Sequence, residues 1–263
     1  MYKYLLLLLL SPLVVADDSC PYQQGVAIIG VATNASDSTF LYCEYHFFTD
    51  QDGSAIGSVI SMDDVAFSTV EYRDVEQQLI AKKTADFSKS RLAPAIDQVD
   101  FRHNEKVFIQ QQMVSDASEK TTLEVSYHEP VSGNIKKEMV DLKDATVVDA
   151  GFDNAIRIYW DDILSKKKVI LDFVAPVQQT SIALSVKKQS LQRCQKLSDA
   201  IYIEEQHLCI KVKAANVFLN WLVKPIYLVY ERSVKRLQTF SGHVNITDNK
   251  GEGQEAVITY HYQ

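Results

Sequence analysis

Beyond residue 17 the chain is written in short alternating runs. Leu123, Val125 and Tyr127 fall on one side of an extended segment, and Glu124, Ser126 and His128 on the other. This is the two-residue period of a half-buried strand. Residues 40–48, 67–72, 79–87, 107–114, 122–128, 169–174, 181–187 and 200–212 read in the same way. A terminal meander follows at 226–231, 236–246 and 255–262, with polar turns near 115–120, 233 and 248–253. Strands at such regular spacing, with little helix between them, predict a mainly β fold: a curved antiparallel sheet or an open β-barrel.

Two segments depart from that period. Between residues 151 and 164, Phe152, Ala155, Ile156, Tyr159, Trp160, Ile163 and Leu164 recur at offsets of three and four. This predicts one amphipathic helix, with Asp149 as its N-cap and Lys166, Lys167 and Lys168 at its C-terminal end. Asp153, Arg157 and Asp161 lie four apart and are expected as an outward ion-pair ladder. Such a helix packs across the concave face of a sheet or plugs the mouth of a barrel.

The second departure is the start of the chain. Lys3 precedes an unbroken run from Leu5 to Leu10, and Val14, Val15 and Ala16 precede Asp17 and Asp18. A positive start, an apolar core and a small-residue end form the pattern of a cleaved secretory signal peptide, residues 1–16. The run falls short of the ~20 residues a membrane-spanning helix needs. The expected mature protein is therefore periplasmic or secreted, a single β-rich domain over 17–263 with a weak subdivision open at 144–151. The longest later apolar stretch, residues 217–230, is interrupted by Asn220, Lys224 and Pro225, so no membrane-spanning segment is expected.

Composition narrows the partners. A net charge of −7 argues against nucleic acid, whose phosphates require a basic footprint. In an exported chain the four cysteines, Cys20, Cys43, Cys194 and Cys209, read as disulfides. Three connectivities are open. Loop closure favours Cys20 with Cys43 and Cys194 with Cys209, the second pair forming the rung of a hairpin that turns near 196–199. Their spacing fits no zinc site, and neither a metal nor a cofactor is expected.

Candidate chemistry is sparse. The chain has no nucleophile elbow, phosphate loop, zinc helix or calcium loop. Glu44 and His46 share one face of a strand, a geometry suited to general acid–base work or half a metal site, although i, i+2 pairs arise often by chance. Asp161 and Asp162 are adjacent on a helix and point about 100° apart, so they cannot flank one bond as a glycosidase pair does. Arg157 and Trp160 on the helix, and Trp221 before Pro225, complete the candidate ligand-binding set with Glu44 and His46. The tryptophans read first as core residues. N-glycosylation sequons stand at Asn34 and Asn245.

Several landmarks occur together: Leu41–Tyr42–x–Glu44–x–His46, then Lys83 and Phe87, then Gly151–Phe152–Asp153 with Ile156, Arg157, Trp160 and Asp161. Phe173 with Pro176 follows, then Pro225–Ile226 with Leu228 and Tyr230, and the ending Phe240–x–Gly242–x–x–Asn245–Ile246–x–Asp248. This set resembles a family of exported, uncharacterised proteins of Gram-negative bacteria, across nearly the whole mature chain. The resemblance implies a location and a β-rich fold, and it implies no activity or catalytic residue. Residues 189–206, with Cys194 and Cys209, look like an insertion relative to that family.

The leading functional expectation is a non-catalytic periplasmic binding module that holds a lipid or other apolar or amphipathic small molecule against the concave sheet. Its rivals are a hydrolase built on Glu44 and His46, and an interaction protein presenting the terminal meander to an envelope protein partner.

Overall fold

The structure is a computed structural model that describes residues 20–57, 62–113, 121–130, 132–198, 200–216 and 224–263. Trp221 and the expected signal peptide lie outside the described residues. The expected turn at 115–120 does so as well.

The alternating segments pair with their neighbours in sequence to form one curved sheet. Its first part runs β1 (Ile28–Asn34), β2 (Phe40–Thr49), β3 (Phe67–Arg73), β4 (Leu79–Asp86), β5 (Ala95–Asp100), β6 (Glu105–Met113), β7 (Thr121–His128) and β8 (Ile135–Asp141). The second part runs β9 (Thr146–Val147), β10 (Val169–Ala175), β11 (Thr180–Gln189), β12 (His207–Ala214), β13 (Ile226–Glu231), β14 (Arg236–His243) and β15 (Glu255–Tyr262). The spatial order is β8 to β1, then β15 back to β9. Pairing of β1 with β15 therefore places both ends of the described chain at the middle of the sheet. All pairings are antiparallel except that of β9 with β10. The sheet curls until β8 approaches β11, which gives an open, barrel-like curve.

Strand alternation assigns side chains to the two faces. In β2, Glu44, His46 and Phe48 point inward, whereas Cys43, Tyr45 and Phe47 join Ile29 and Val31 on the other side. The Cys20–Cys43 disulfide pins the segment before β1 onto that outer patch. On the opposite arm, Leu208, Ile210, Val212, Leu228 and Tyr230 face the helices, while Cys209, Tyr227 and Val229 face out. There the Cys194–Cys209 disulfide pins a short helix, α3 (Leu191–Gln195), to β12. Both favoured pairings are present. The hairpin rung is corrected, because Cys194 lies on a helix and residues 200–206 form a loop in which Tyr202 is held by Gln195 and Thr239.

The amphipathic helix packs on the concave face but is divided. α1 (Gly151–Ile158) and α2 (Trp160–Leu164) meet at Tyr159, whose backbone opens to φ −90°, ψ 18°. Ala155, Ile156, Trp160 and Ile163 are buried against β10–β13. Ala150, rather than Asp149, occupies the cap position; Asp149 has left-handed φ 39° and its side chain is committed elsewhere. The outward ladder is also corrected. Asp153 and Arg157 face the interior, and Asp161 is exposed.

Strands β5 and β8, and the two-residue β9, were not among the segments expected. The buried face of β5 carries Gln98 and Asp100, so apolar alternation is absent there. β8 is an edge strand, exposed on both faces along almost its whole length.

Candidate functional site

Between the concave sheet and α1 lies a cavity of about 350 Å³. Its walls are mostly apolar: Phe48 and Val70 on one arm, Phe173 and Leu228 on the other, and Phe152 on the helix. Its floor is where β1 passes between β2 and β15. Gly30 faces Glu44 on one side and Tyr260 on the other, and a Cβ at Gly30 would meet both, together with Ile258, at 3.1 Å. The glycine lets these three side chains pack close together beneath the cavity. His243 and Asn245, both exposed, mark the opening to solvent.

Three polar groups interrupt the apolar wall, and each is internally paired. His46 Nε2 lies 3.1 Å from Glu44 Oε2, and the His46 ring sits edge-on to Tyr260 with centroids 5.8 Å apart. Lys83 Nζ donates to Asp149 Oδ1 at 2.7 Å. Asp149 Oδ2 accepts from Asn245, whose amide also donates to Gln98 Oε1. Arg157 Nε donates to Asp153 Oδ2 at 2.8 Å, while Tyr230 donates its hydroxyl to Asp153 Oδ1 at 2.7 Å.

These pairings set the electrostatics. Burial alone would lower the Lys83 ammonium; the Asp149 carboxylate outweighs it and holds Lys83 above the ordinary lysine range. Arg157 is likewise held above its ordinary value, burial being outweighed by Asp153. Burial raises the hydroxyls of Tyr72 and Tyr260, and the charge on Glu44 adds to the rise. At neutral pH the wall thus carries fixed ions and neutral phenols.

Of the residues singled out in sequence, Glu44, His46 and Arg157 line the cavity. Trp160 does not. It is buried in the core, edge-on to Tyr230 at 5.8 Å with the Lys235 ammonium over its ring, and Tyr159 is likewise outside the wall. The helix reaches the cavity through Phe152, Asp153 and Arg157 instead, because its break at Tyr159 turns the second half into the core. Lys83, Asp149 and Tyr230 line the site and were missed by periodicity alone, as was Gly30 beneath it. The sequon at Asn245 has its amide engaged at the cavity mouth, whereas Asn34 ends β1, half-buried, with its side chain accepting from Ser36.

Glu44 and His46 do converge in a concave site, as a hydrolase would require. Ser68 lies on the same face of the neighbouring strand and also lines the cavity. Among the described residues no hydrogen bond joins Ser68 to His46. No group of three or more metal-ligating side chains is present among the described residues, nor is any helix there long and apolar enough to cross a membrane.

No family model matches the chain, and no curated protein matches it. Among solved structures it is similar to a beta-barrel-like protein of a domain of unknown function, DUF1849, from Brucella abortus. That similarity has 11% sequence identity and a TM-score of 0.37, covering 90% of this chain and 96% of the other.

Proposed function

We propose that this protein is an exported, non-catalytic binding module that holds an apolar or amphipathic small molecule between its concave sheet and α1. The observation that carries this reading is the cavity itself. Apolar side chains from both arms of the sheet and from the helix enclose about 350 Å³, and the helix aromatics Tyr159 and Trp160 do not fill it. A concave, mostly apolar volume with a few convergent polar groups is the usual form of a small-molecule site. Two disulfides, which persist in oxidising compartments, support an extracytoplasmic location.

A neutral, environment-sensitive dye such as Nile red tests the reading. It is expected to bind saturably at one site per chain, with the blue-shifted emission of an apolar environment. Val70→Trp projects a large ring from β3 into the volume and is expected to weaken binding by about tenfold or more while the variant stays folded. Absence of saturable binding, or binding that Val70→Trp leaves unchanged, would sink the proposal.

A further inference from the structure

The cavity wall also carries information about the head of its ligand, an inference that rests on the binding-module reading. Its charged groups are three carboxylates, Glu44, Asp149 and Asp153, against two fixed cations, Lys83 and Arg157. Each cation is already joined to its own carboxylate at 2.7–2.8 Å, so neither offers an unneutralised charge to an anion. The acid without a fixed cation of its own is Glu44. Glu44 is 6% exposed, on the cavity floor opposite Gly30. Its Oε2 meets His46, while its Oε1 accepts no hydrogen bond among the described residues. A carboxylate drawn largely out of water and open to the cavity gains from a donor that a ligand brings to it. Tyr72 and Tyr260 line the cavity beside it.

We propose that the bound molecule is a long-chain amphiphile whose head donates hydrogen bonds and carries no negative charge, an ammonium above all, with the head held by Glu44 and the chain lying among Phe48, Phe152 and Leu228. A carboxylate or phosphate head would instead confront an excess of carboxylates, and like charges brought together out of water are strongly disfavoured. Lys83 and Arg157 then serve to fix Asp149 and Asp153 in place, leaving Glu44 as the carboxylate that meets the ligand.

The test uses three probes with one dodecyl chain and different heads: dodecylammonium, dodecanol and dodecanoate. Each competes against Nile red at neutral pH, below its micelle concentration, on the full-length protein. The expected order is ammonium, then alcohol, then carboxylate, with about tenfold or more between first and last. Glu44→Gln keeps the shape and removes the charge; it is expected to abolish the preference for ammonium while leaving dodecanol within about twofold. The order in the wild-type protein is decisive even if that variant folds poorly. Dodecanoate binding as tightly as dodecylammonium overturns the proposal, and so does a folded Glu44→Gln variant that retains the preference. If the probes bind with no order among heads, the head assignment fails and the binding module stands. If neither Nile red nor any dodecyl probe binds, both fail.

Discussion

At the scale of single residues, the most consequential contact is one that spans the chain. Lys83 in β4 and Asp149 just before α1 are remote in sequence, and their side chains are 12% and 23% exposed. Removing one partner of a largely buried pair strands the other charge, whereas removing both can be nearly neutral. Lys83→Met is therefore expected to destabilise by about 3 kcal/mol in urea denaturation, at the low end for buried pairs because Asp149 retains some water. Adding Asp149→Leu should recover most of that loss. If the single variant loses less than about 0.5 kcal/mol, the pair behaves as a surface ion pair and does not position the helix. Little of this was legible in the sequence. Asp149 looks like an N-cap because it precedes an amphipathic run, but nothing local announces a lysine sixty-six residues earlier. Glu44 and His46 were legible because strand period alone puts i and i+2 on one face. Gly30 was not, since a glycine in an apolar strand shows that something approaches closely without showing what.

At the scale of elements, α1 is positioned by backbone contact as much as by its apolar stripe. Gly151 opens the helix against the loop before β5, where a Cβ would fall 2.0 Å from the Leu92 carbonyl oxygen. Asn154 ties the same turn down by donating to the Arg91 carbonyl, and Val148 donates its amide to Leu92. Alanine is worth about 1 kcal/mol over glycine in a free helix, but here the added methyl meets a fixed backbone atom. Gly151→Ala is thus expected to destabilise by about 2 kcal/mol, the cost of overpacking outweighing the gain in propensity. It should also weaken dye binding, because Phe152, Asp153 and Arg157 would move with the helix. A variant more stable than wild type in thermal unfolding would show that the loop yields and that helix placement is set by the apolar face alone. The apolar face was readable from the offsets of three and four; its direction was not. The same periodicity that identifies the helix assigns Asp153 and Arg157 to the solvent side, and only the curvature of the sheet around them makes that side an interior.

At the scale of the whole molecule, the open curve collects phenols as well as apolar side chains, and this gives the fold an alkaline limit. Tyr42, Tyr72 and Tyr230 are at most 2% exposed, and Tyr260 and Tyr262 are packed against the core beside them. Burial raises all five, reinforced by Glu44 around Tyr42, Tyr72 and Tyr260 and by Asp153 around Tyr230 and Tyr262. A phenol whose folded value exceeds its unfolded value binds its proton more tightly in the native state. Its contribution is therefore complete below the unfolded value of about 10 and is lost as pH rises above it. Tyr227, on the outer face, behaves oppositely: burial would raise it, but the Arg193 guanidinium and Lys211 outweigh burial and lower it. Alkaline titration followed at the tyrosinate band should consequently divide into two phases. Exposed phenols and Tyr227 ionise first with the β circular dichroism intact; the five interior phenols, together with Tyr45 and Tyr127, which burial also raises, ionise only with cooperative loss of that signal. A single reversible step for all the tyrosines, with the sheet signal unchanged, would mean that water reaches the concave face freely. A face that wet would not hold an apolar chain, so the titration also bears on the ligand, with none present in the cuvette.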